Sequence, residues 1–401
     1  MKSFVGFLAG VSLASMVLTS CGGGTAPTEN HSQCGTQAPS TTFELGNGVN
    51  VSHWLSQSAA RGEERAQMIT KKDFDSIAAM GFKHVRLPID EEQLFDEQGN
   101  RLDDGMDLLH KAINWTLENN MNIIVDLHIV RSYHFNSENA KPNTLFTDSL
   151  AQKDFLRVWR SLQQELAQYP NDRLAYEILN EPQAPTCAAW NEFVANYIAE
   201  IRKTEPNRSL VIGSNFWQST TSFDSLSVPS DDKKLILSFH DYIPSLITHY
   251  RAPWTVQKDY TGEVQYPGHS IPDTSVFKGM KPEEVQILRG FNAKEYNKAV
   301  LEEEIMEAVQ VADSLGLQLY CGEFGVYPNY INPDIRFRWY NDMVDIFREH
   351  NIANAHWCYK GDFPIVKEDG TRNELPAILT KLFFFMKYRW MGCRWATHSV
   401  C

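Results

Sequence analysis

Apolar and polar positions along this chain of 401 residues follow two rhythms. Short runs of apolar, often β-branched or aromatic residues read as strands. Between them, apolar residues recur three and four apart, as on one face of a helix. The strand-like runs extend from Gly46 to Trp54, Phe82 to Pro88, Asn122 to Ile129, Leu174 to Leu179, Leu210 to Gly213, Leu235 to Phe239, Leu317 to Cys321 and Ala353 to Trp357. Helical spacing is carried by Leu109, Ala112, Ile113 and Leu117; by Phe155, Val158, Trp159, Leu162 and Leu166; and by Leu301, Ile305, Ala308, Val309 and Ala312. Further helices are expected from Ala188 to Lys203 and from Ile335 to Phe347, with a last amphipathic stretch from Ala377 to Phe385. Thr70 to Asp73 reads as a capping box ahead of a helix that ends near Gly81.

Strands buried on both faces and joined by helices pair in parallel. Eight such units predict a closed (β/α)8 TIM barrel over residues 43–385. A doubly wound open sheet would call for a glycine-rich turn after the first strand, and Gly46-Asn47-Gly48 instead precedes that strand's core. Residues 243–293 show no clear period, and a structureless loop of that length is improbable inside a compact domain. An inserted subdomain between strand six and helix six is expected there, with Trp254, Tyr260 and Tyr266 inside it. The 386–401 tail has no readable role.

The N-terminus reads as a targeting segment. Lys2, an apolar run from Phe4 to Leu18 and then Leu18-Thr19-Ser20-Cys21 resemble the lipobox of bacterial lipoproteins. Residues 1–21 are therefore expected to be a lipoprotein signal peptide, with a lipid on Cys21, and 22–42 a flexible tether rich in Gly, Thr, Pro and Ser. That implies an exported, outer-membrane lipoprotein, periplasmic or at the cell surface. The formal net charge of −13 with no basic stripe argues against nucleic acid as a partner. Six cysteines remain besides Cys21, far apart and without a Cys-x-x-Cys pattern, so a zinc site is not suggested; export makes disulfides possible, but the spacing assigns no pair. Ten Trp suit a sugar-binding cleft or simply the core of a large barrel.

Chemistry-bearing residues collect at strand ends: Arg86, His128, Asn180, Glu181, His240, Tyr242, Glu323 and Trp357. In a barrel these ends open on one face, so residues distant in sequence converge. After Leu174, Tyr176, Ile178 and Leu179, the pair Asn180-Glu181 arrives and Pro182 stops further pairing. Glu323 stands likewise at the end of strand seven. Two carboxylates across a cleft suit cleavage of a glycosidic bond, one protonating the leaving oxygen and the other attacking or stabilising the anomeric carbon. Asn50, His53, Trp54, His134, Asn215 and Trp217 fall on lip loops and are secondary binding candidates. No cofactor or metal is expected, because no His-x-x-x-His or carboxylate–His ligand set is present.

Several stretches occur in an order that resembles glycoside hydrolase family 5, of the clostridial endoglucanase type with a subdomain after strand six. They are His84-Val85-Arg86-Leu87-Pro88, Asp126-Leu127-His128, Leu179-Asn180-Glu181-Pro182, Ser238-Phe239-His240-Asp241-Tyr242, Thr248-His249-Tyr250, Tyr266-Pro267-Gly268, Tyr320 to Val326 and His356 to Lys360. The resemblance implies Glu181 as acid/base and Glu323 as nucleophile. It further implies Asn180 on the sugar 2-hydroxyl, Tyr242 and Arg86 holding Glu323 ionised, His128 and His240 positioning substrate, and Trp357 as a stacking floor. Two positions depart from the pattern: Ile129 where many relatives have a second His, and Asp241 where an aromatic is common. The expected activity is retaining hydrolysis of internal β-1,4 bonds in cellulose-like or mixed-linkage β-glucans, by a monomer. The alternatives are mannan or xyloglucan on the same scaffold, or a non-catalytic glycan-binding lipoprotein.

Overall fold

The computed structural model describes residues 42–136, 143–367 and 369–381; Cys21, the segment up to residue 41 and the 386–401 tail lie outside them. Eight parallel strands close into a barrel in chain order, the last pairing with the first. They are β1 (Asn47–Asn50), β2 (His84–Asp90), β3 (Asn122–Ile129), β4 (Leu174–Glu177), β5 (Leu210–Gly213), β6 (Leu235–Asp241), β7 (Gln318–Phe324) and β8 (Ala353–His356). Outer helices Lys71–Ala79, Asp103–Glu118, Ser149–Leu166 and Cys187–Arg202 follow the first four strands. Lys298–Leu315, Pro333–Glu349 and Leu375–Leu379 follow β6, β7 and β8. Lys71–Ala79 starts where the sequence placed it, with the Thr70 N–H donating to Asp73 Oδ2 at 2.8 Å.

Three details depart from the sequence reading. The alternation lapses after β5, where only a four-residue turn, Asn215–Gln218, and a 3-10 turn, Thr220–Ser222, lead to β6. That stretch is rich in Ser, Thr, Asp and Pro, which compete with or break helical hydrogen bonding. β1 ends at Asn50 rather than Trp54, and β4 at Glu177 rather than Leu179. Pro88 does not terminate β2 but sits inside it, opposite Asp126. Arg86 O accepts from Val51 N and Asp90 N donates to Leu55 O, so Pro88 turns the same edge toward β1. β1 has already ended there, and the missing N–H costs no ladder bond.

The period of two along each strand sorts the barrel interior into layers. Ile124, Ala175, Val211, Ile236, Tyr320, Ala353 and Ala355 form a separate apolar cluster with Phe43 and Leu45. Val85, Leu87, Ile123, Val125 and Leu237 belong instead to the larger core shared with the helices. Two residues further along the inward face come Asp126 above Ile124, Glu177 above Ala175 and Ser238 above Ile236; another step brings His128 and His240. An apolar plug therefore fills one end of the barrel and a polar layer the other.

Between β6 and helix Lys298–Leu315 the chain forms a short helix Ser245–Thr248, a 3-10 turn Thr274–Phe277, a helix Pro282–Phe291 and a two-residue antiparallel ribbon. It is tied to the barrel by Tyr266, whose buried O–H donates to Asp342 at 2.7 Å. Among the described residues no helix is long and apolar enough to cross a membrane.

Candidate active site

The polar layer is built around Arg86, which β2 points into the barrel with no exposed surface. Its guanidinium meets Glu177 through Nε at 2.6 Å and Nη2 at 3.0 Å. Nη1 donates to Glu323 Oε1 at 2.7 Å and to Asn50 Oδ1 at 3.0 Å. Nη2 also donates to Asn180 Oδ1 at 2.8 Å and lies 3.0 Å from Asp126 Oδ2. One fixed, planar cation thus registers groups from four strands. Burial pushes Asp126 up to about 7 and raises Glu177, against the pull of Arg86.

Glu181 is held by its backbone. Its φ of 44° lies in the left-handed region, which costs a non-glycine residue about 1–3 kcal/mol and persists only where neighbours enforce it. Here Tyr133 O–H donates to Glu181 O at 2.5 Å, and Glu181 N donates to Gln218 Oε1 at 2.9 Å. Gln218 is anchored in turn, its Nε2 donating to Ser238 Oγ at 3.0 Å and to Glu177 at 3.3 Å. Indole N–H groups of the outer helices fix the chain on either side: Trp159 to Ile178 O at 3.0 Å and Trp190 to Gly213 O at 2.9 Å.

Across the cleft, Glu323 Oε2 accepts from Tyr242 O–H at 3.0 Å. His240 stands between the carboxyls, its Nδ1 2.8 Å from Glu181 Oε1 and 3.7 Å from Glu323 Oε2. These three groups bring one donor atom each within 4.8 Å of one another, a spacing that a cation could also occupy. Burial raises both carboxyls. For Glu181 the next cause is the Glu323 charge; for Glu323, Arg86 and the Tyr242 hydrogen bond pull the other way. With a guanidinium and a phenol donating directly to Glu323, a single proton shared by the pair resides on Glu181. His240 and His128 are depressed by burial and then by Arg86, so both rings stay neutral; burial and then the Glu323 charge keep Tyr242 protonated.

His128 Nδ1 bonds Asp126 Oδ2 at 2.7 Å, its Nε2 meets Gln57 at 2.9 Å, and its ring stacks on Trp357 at 5.7 Å and 11°. Among the described residues Asn180 Nδ2 is buried without a protein partner, beside the two carboxyls. Gln57, His128, Asn180, Glu181, Tyr242, Glu323 and Trp357 border one open cleft of about 1100 Å³.

A family model described as Cellulase (glycosyl hydrolase family 5) matches residues 42–362. The chain belongs to glycoside hydrolase family 5. This hydrolase is 32% identical to "Endoglucanase C" of Acetivibrio thermocellus over 329 residues, covering 80% of this chain and 93% of that one. It is 27% identical to "Cellodextrinase A" of Ruminococcus flavefaciens over 308 residues, covering 76% and 83%. Its fold is shared with Cel5A of Thermotoga maritima, solved with mannotriose, at TM-score 0.66 and 23% identity, covering 84% of this chain and 97% of that one.

In this family 5 hydrolase the structure brings all eight primary candidates to one site, six lining the cleft, His240 behind the two carboxyls it contacts and Arg86 bonded to Glu323 beneath. Of the secondary candidates, His53, His134 and Trp217 line the cleft, and Asn50 lies under it, bonding Arg86 and Gly322 O. Trp54 and Asn215 do not. Trp54 is buried with its indole on Arg65 O at 2.8 Å, and Asn215 clasps Ala184 through both amide atoms at 2.9 and 3.0 Å. Asp241 is buried away from the cleft, near Glu304, which removes it from substrate contact. The sequence reading missed Glu177, Asp126, Gln57 and Gln218 as supports. Glu177 and Asp126 had a signal, an acid inside an apolar strand, three residues before Asn180 and two before His128 respectively; Gln57 and Gln218 had none. Trp254 and Phe291, from the segment after β6, border the same cleft.

Proposed function

We propose that this hydrolase cleaves internal β-1,4-glucosidic bonds of cellulose-like or mixed-linkage β-glucans with retention of configuration. The observation that supports this best is the Glu181–Glu323 pair, with oxygens within 4.8 Å across the cleft and unlike surroundings. Retaining glycosidases hold their carboxyls roughly 5–5.5 Å apart, without room for a water between them. In this reading Glu323, ionised against Arg86 and Tyr242, attacks the anomeric carbon while the Glu181 proton passes to the leaving oxygen. Glu181 then takes a proton from water, which displaces Glu323 from the sugar. Asn180 Nδ2, free to donate, is suited to the sugar 2-hydroxyl, and Trp357 braced by His128 to stacking under the ring. The names of the curated relatives favour β-glucan. Cel5A structures carry either mannotriose or cellobiose, so the shared fold does not separate glucan from mannan.

The test is a panel of defined glucans, mannans and xyloglucans, with the anomer of the first product read by NMR. Glu323→Gln should lower kcat by three orders of magnitude or more, on the order seen when a covalent nucleophile is removed, and leave glycan binding largely intact. Glu181→Gln should cost about 10²–10⁴-fold. Retained hydrolysis in Glu323→Gln, or an inverted product, would overturn the assignment. Activity that survives a chelator would exclude use of the Glu181–His240–Glu323 cluster as a metal centre. We further propose residues 1–21 as a lipoprotein signal peptide with Cys21 as the anchor, 22–42 as a tether, outer-membrane placement and a monomeric state. The N-terminal pattern supports the first three.

A further inference from the structure

A second set of donors sits on the cleft wall beside Trp357. His53 Nε2 lies 3.8 Å from Asp362 Oδ1, Cys358 Sγ lies 3.7 Å from the same oxygen, and all three donor atoms fall within 4.8 Å of one another. On a tetrahedron with zinc–nitrogen, zinc–oxygen and zinc–sulfur bonds of about 2.0, 2.0 and 2.3 Å, neighbouring donors stand roughly 3.3–3.6 Å apart. Small movements of these side chains therefore reach a coordination shell. Imidazole, thiolate and carboxylate together suit a borderline-soft cation and not magnesium or calcium.

Two of the donors already have the outer partners that metal ligands need. Ser52 Oγ holds His53 Nδ1 at 2.9 Å, which leaves Nε2 facing Asp362. Trp357 Nε1 donates to Asp362 Oδ1 at 3.1 Å, which orients that carboxyl. Gly361 makes the close approach possible: a Cβ there would lie 2.6 Å from His53 Nδ1. Cys358 closes the inner side and is buried, whereas the His53 and Asp362 side chains are 28% and 25% exposed toward the cleft. A fourth position therefore faces the space where a sugar would lie.

We propose that His53, Cys358 and Asp362 form a site for one zinc-class divalent cation, whose occupancy obstructs the sugar floor at Trp357. The Cys358 thiol gives up its proton to solvent as the metal–sulfur bond forms, and no electron is transferred. Cation binding itself does not depend on the proposed glucanase activity; only the inhibition does.

The probe is cobalt(II), because a thiolate ligand gives a sulfur-to-cobalt charge-transfer band that a carboxylate–imidazole site cannot. The full-length protein, reduced and stripped with a chelator, should develop that band to saturation at one equivalent and lose it when Zn²⁺ is added. Cys358→Ser should abolish the band, while Glu323→Gln and Cys321→Ser should keep it. No band, a band that persists in Cys358→Ser, or one lost in Glu323→Gln would overturn the proposal. Should Cys358→Ser fail to fold, His53→Gln and Asp362→Asn carry the same test. Each should raise the half-saturating cobalt concentration about ten- to a hundredfold, and an unchanged value overturns the site. In parallel, Zn²⁺ should raise KM for a soluble β-glucan, and Asp362→Asn should remove that sensitivity. Zn²⁺ binding without any effect on KM would overturn the proposed obstruction of the sugar floor.

Discussion

Glu181 and Glu323 bear the same carboxyl and differ only in what touches it. Tyr242 is the cleanest lever on that difference, since its O–H donates to Glu323 at 3.0 Å and favours the ionised form. Tyr242→Phe should therefore raise the Glu323 pKa and move the acid limb of the kcat/KM–pH profile to higher pH. The alkaline limb, set by loss of the Glu181 proton, should stay in place; a profile that does not move would argue against the roles proposed. Asp241 gives a prediction about stability. Burial pushes it from the ordinary 3.8 up to about 7, with one oxygen accepting from Ile243 N and the other unpartnered among the described residues. The folded state thus binds this proton more tightly than the unfolded one. The stabilisation is complete below about pH 4 and is lost as the pH rises through about 7. Asp241→Asn should be more stable than wild type at pH 8, by up to a few kcal/mol, and the gap should close toward pH 4 in denaturant melts. Both Glu were legible in the sequence because each follows an apolar run and interrupts it. Asp126 and Glu177 lie within such runs, and only the registration of four strands around Arg86 gives them a purpose.

At the scale of elements, the turn after β5 governs the turn after β4. Phe216, Trp217 and Gln218 are all left-handed, with φ of 55°, 62° and 53°. Trp217 N donates to Pro182 O at 3.2 Å, and Gln218 reaches Glu181 N. Gly213 leaves room for this: a Cβ there would come within 2.2 Å of Gln218 Cγ. Gly213→Ala should displace Gln218, lower kcat about tenfold with a smaller change in KM, and cost about 1–3 kcal/mol of stability, the usual range for overpacking. Steady-state kinetics with a thermal melt would check it; full kcat at reduced stability would mean that Gln218 only packs. None of this was readable from one sequence. Strand cores announce themselves by apolar runs, whereas a left-handed turn made by Phe, Trp and Gln contradicts local preference and exists through its tertiary contacts. The same logic explains Pro88. Its presence within β2 depends on where the neighbouring strand stops, which no local pattern records.

For the whole molecule, barrel closure was legible because eight apolar runs with intervening helical faces leave few other architectures. The lapse after β5 escaped because the count of strands was already complete. The N-terminal reading is open to a direct check. Cys21→Ser should shift the protein from the membrane fraction to the soluble one and leave kcat on soluble glucan unchanged; wild type already soluble in its native cell would refute the anchor. The layered interior has a consequence for descent. The apolar plug of Ile124, Ala175, Val211 and Ile236 shares strands with the reactive layer but does not line the cleft, whose walls come largely from loops. Heritable change in the loops can retune diet while the foundation goes on securing the chain against heat, so the two traits can be selected apart.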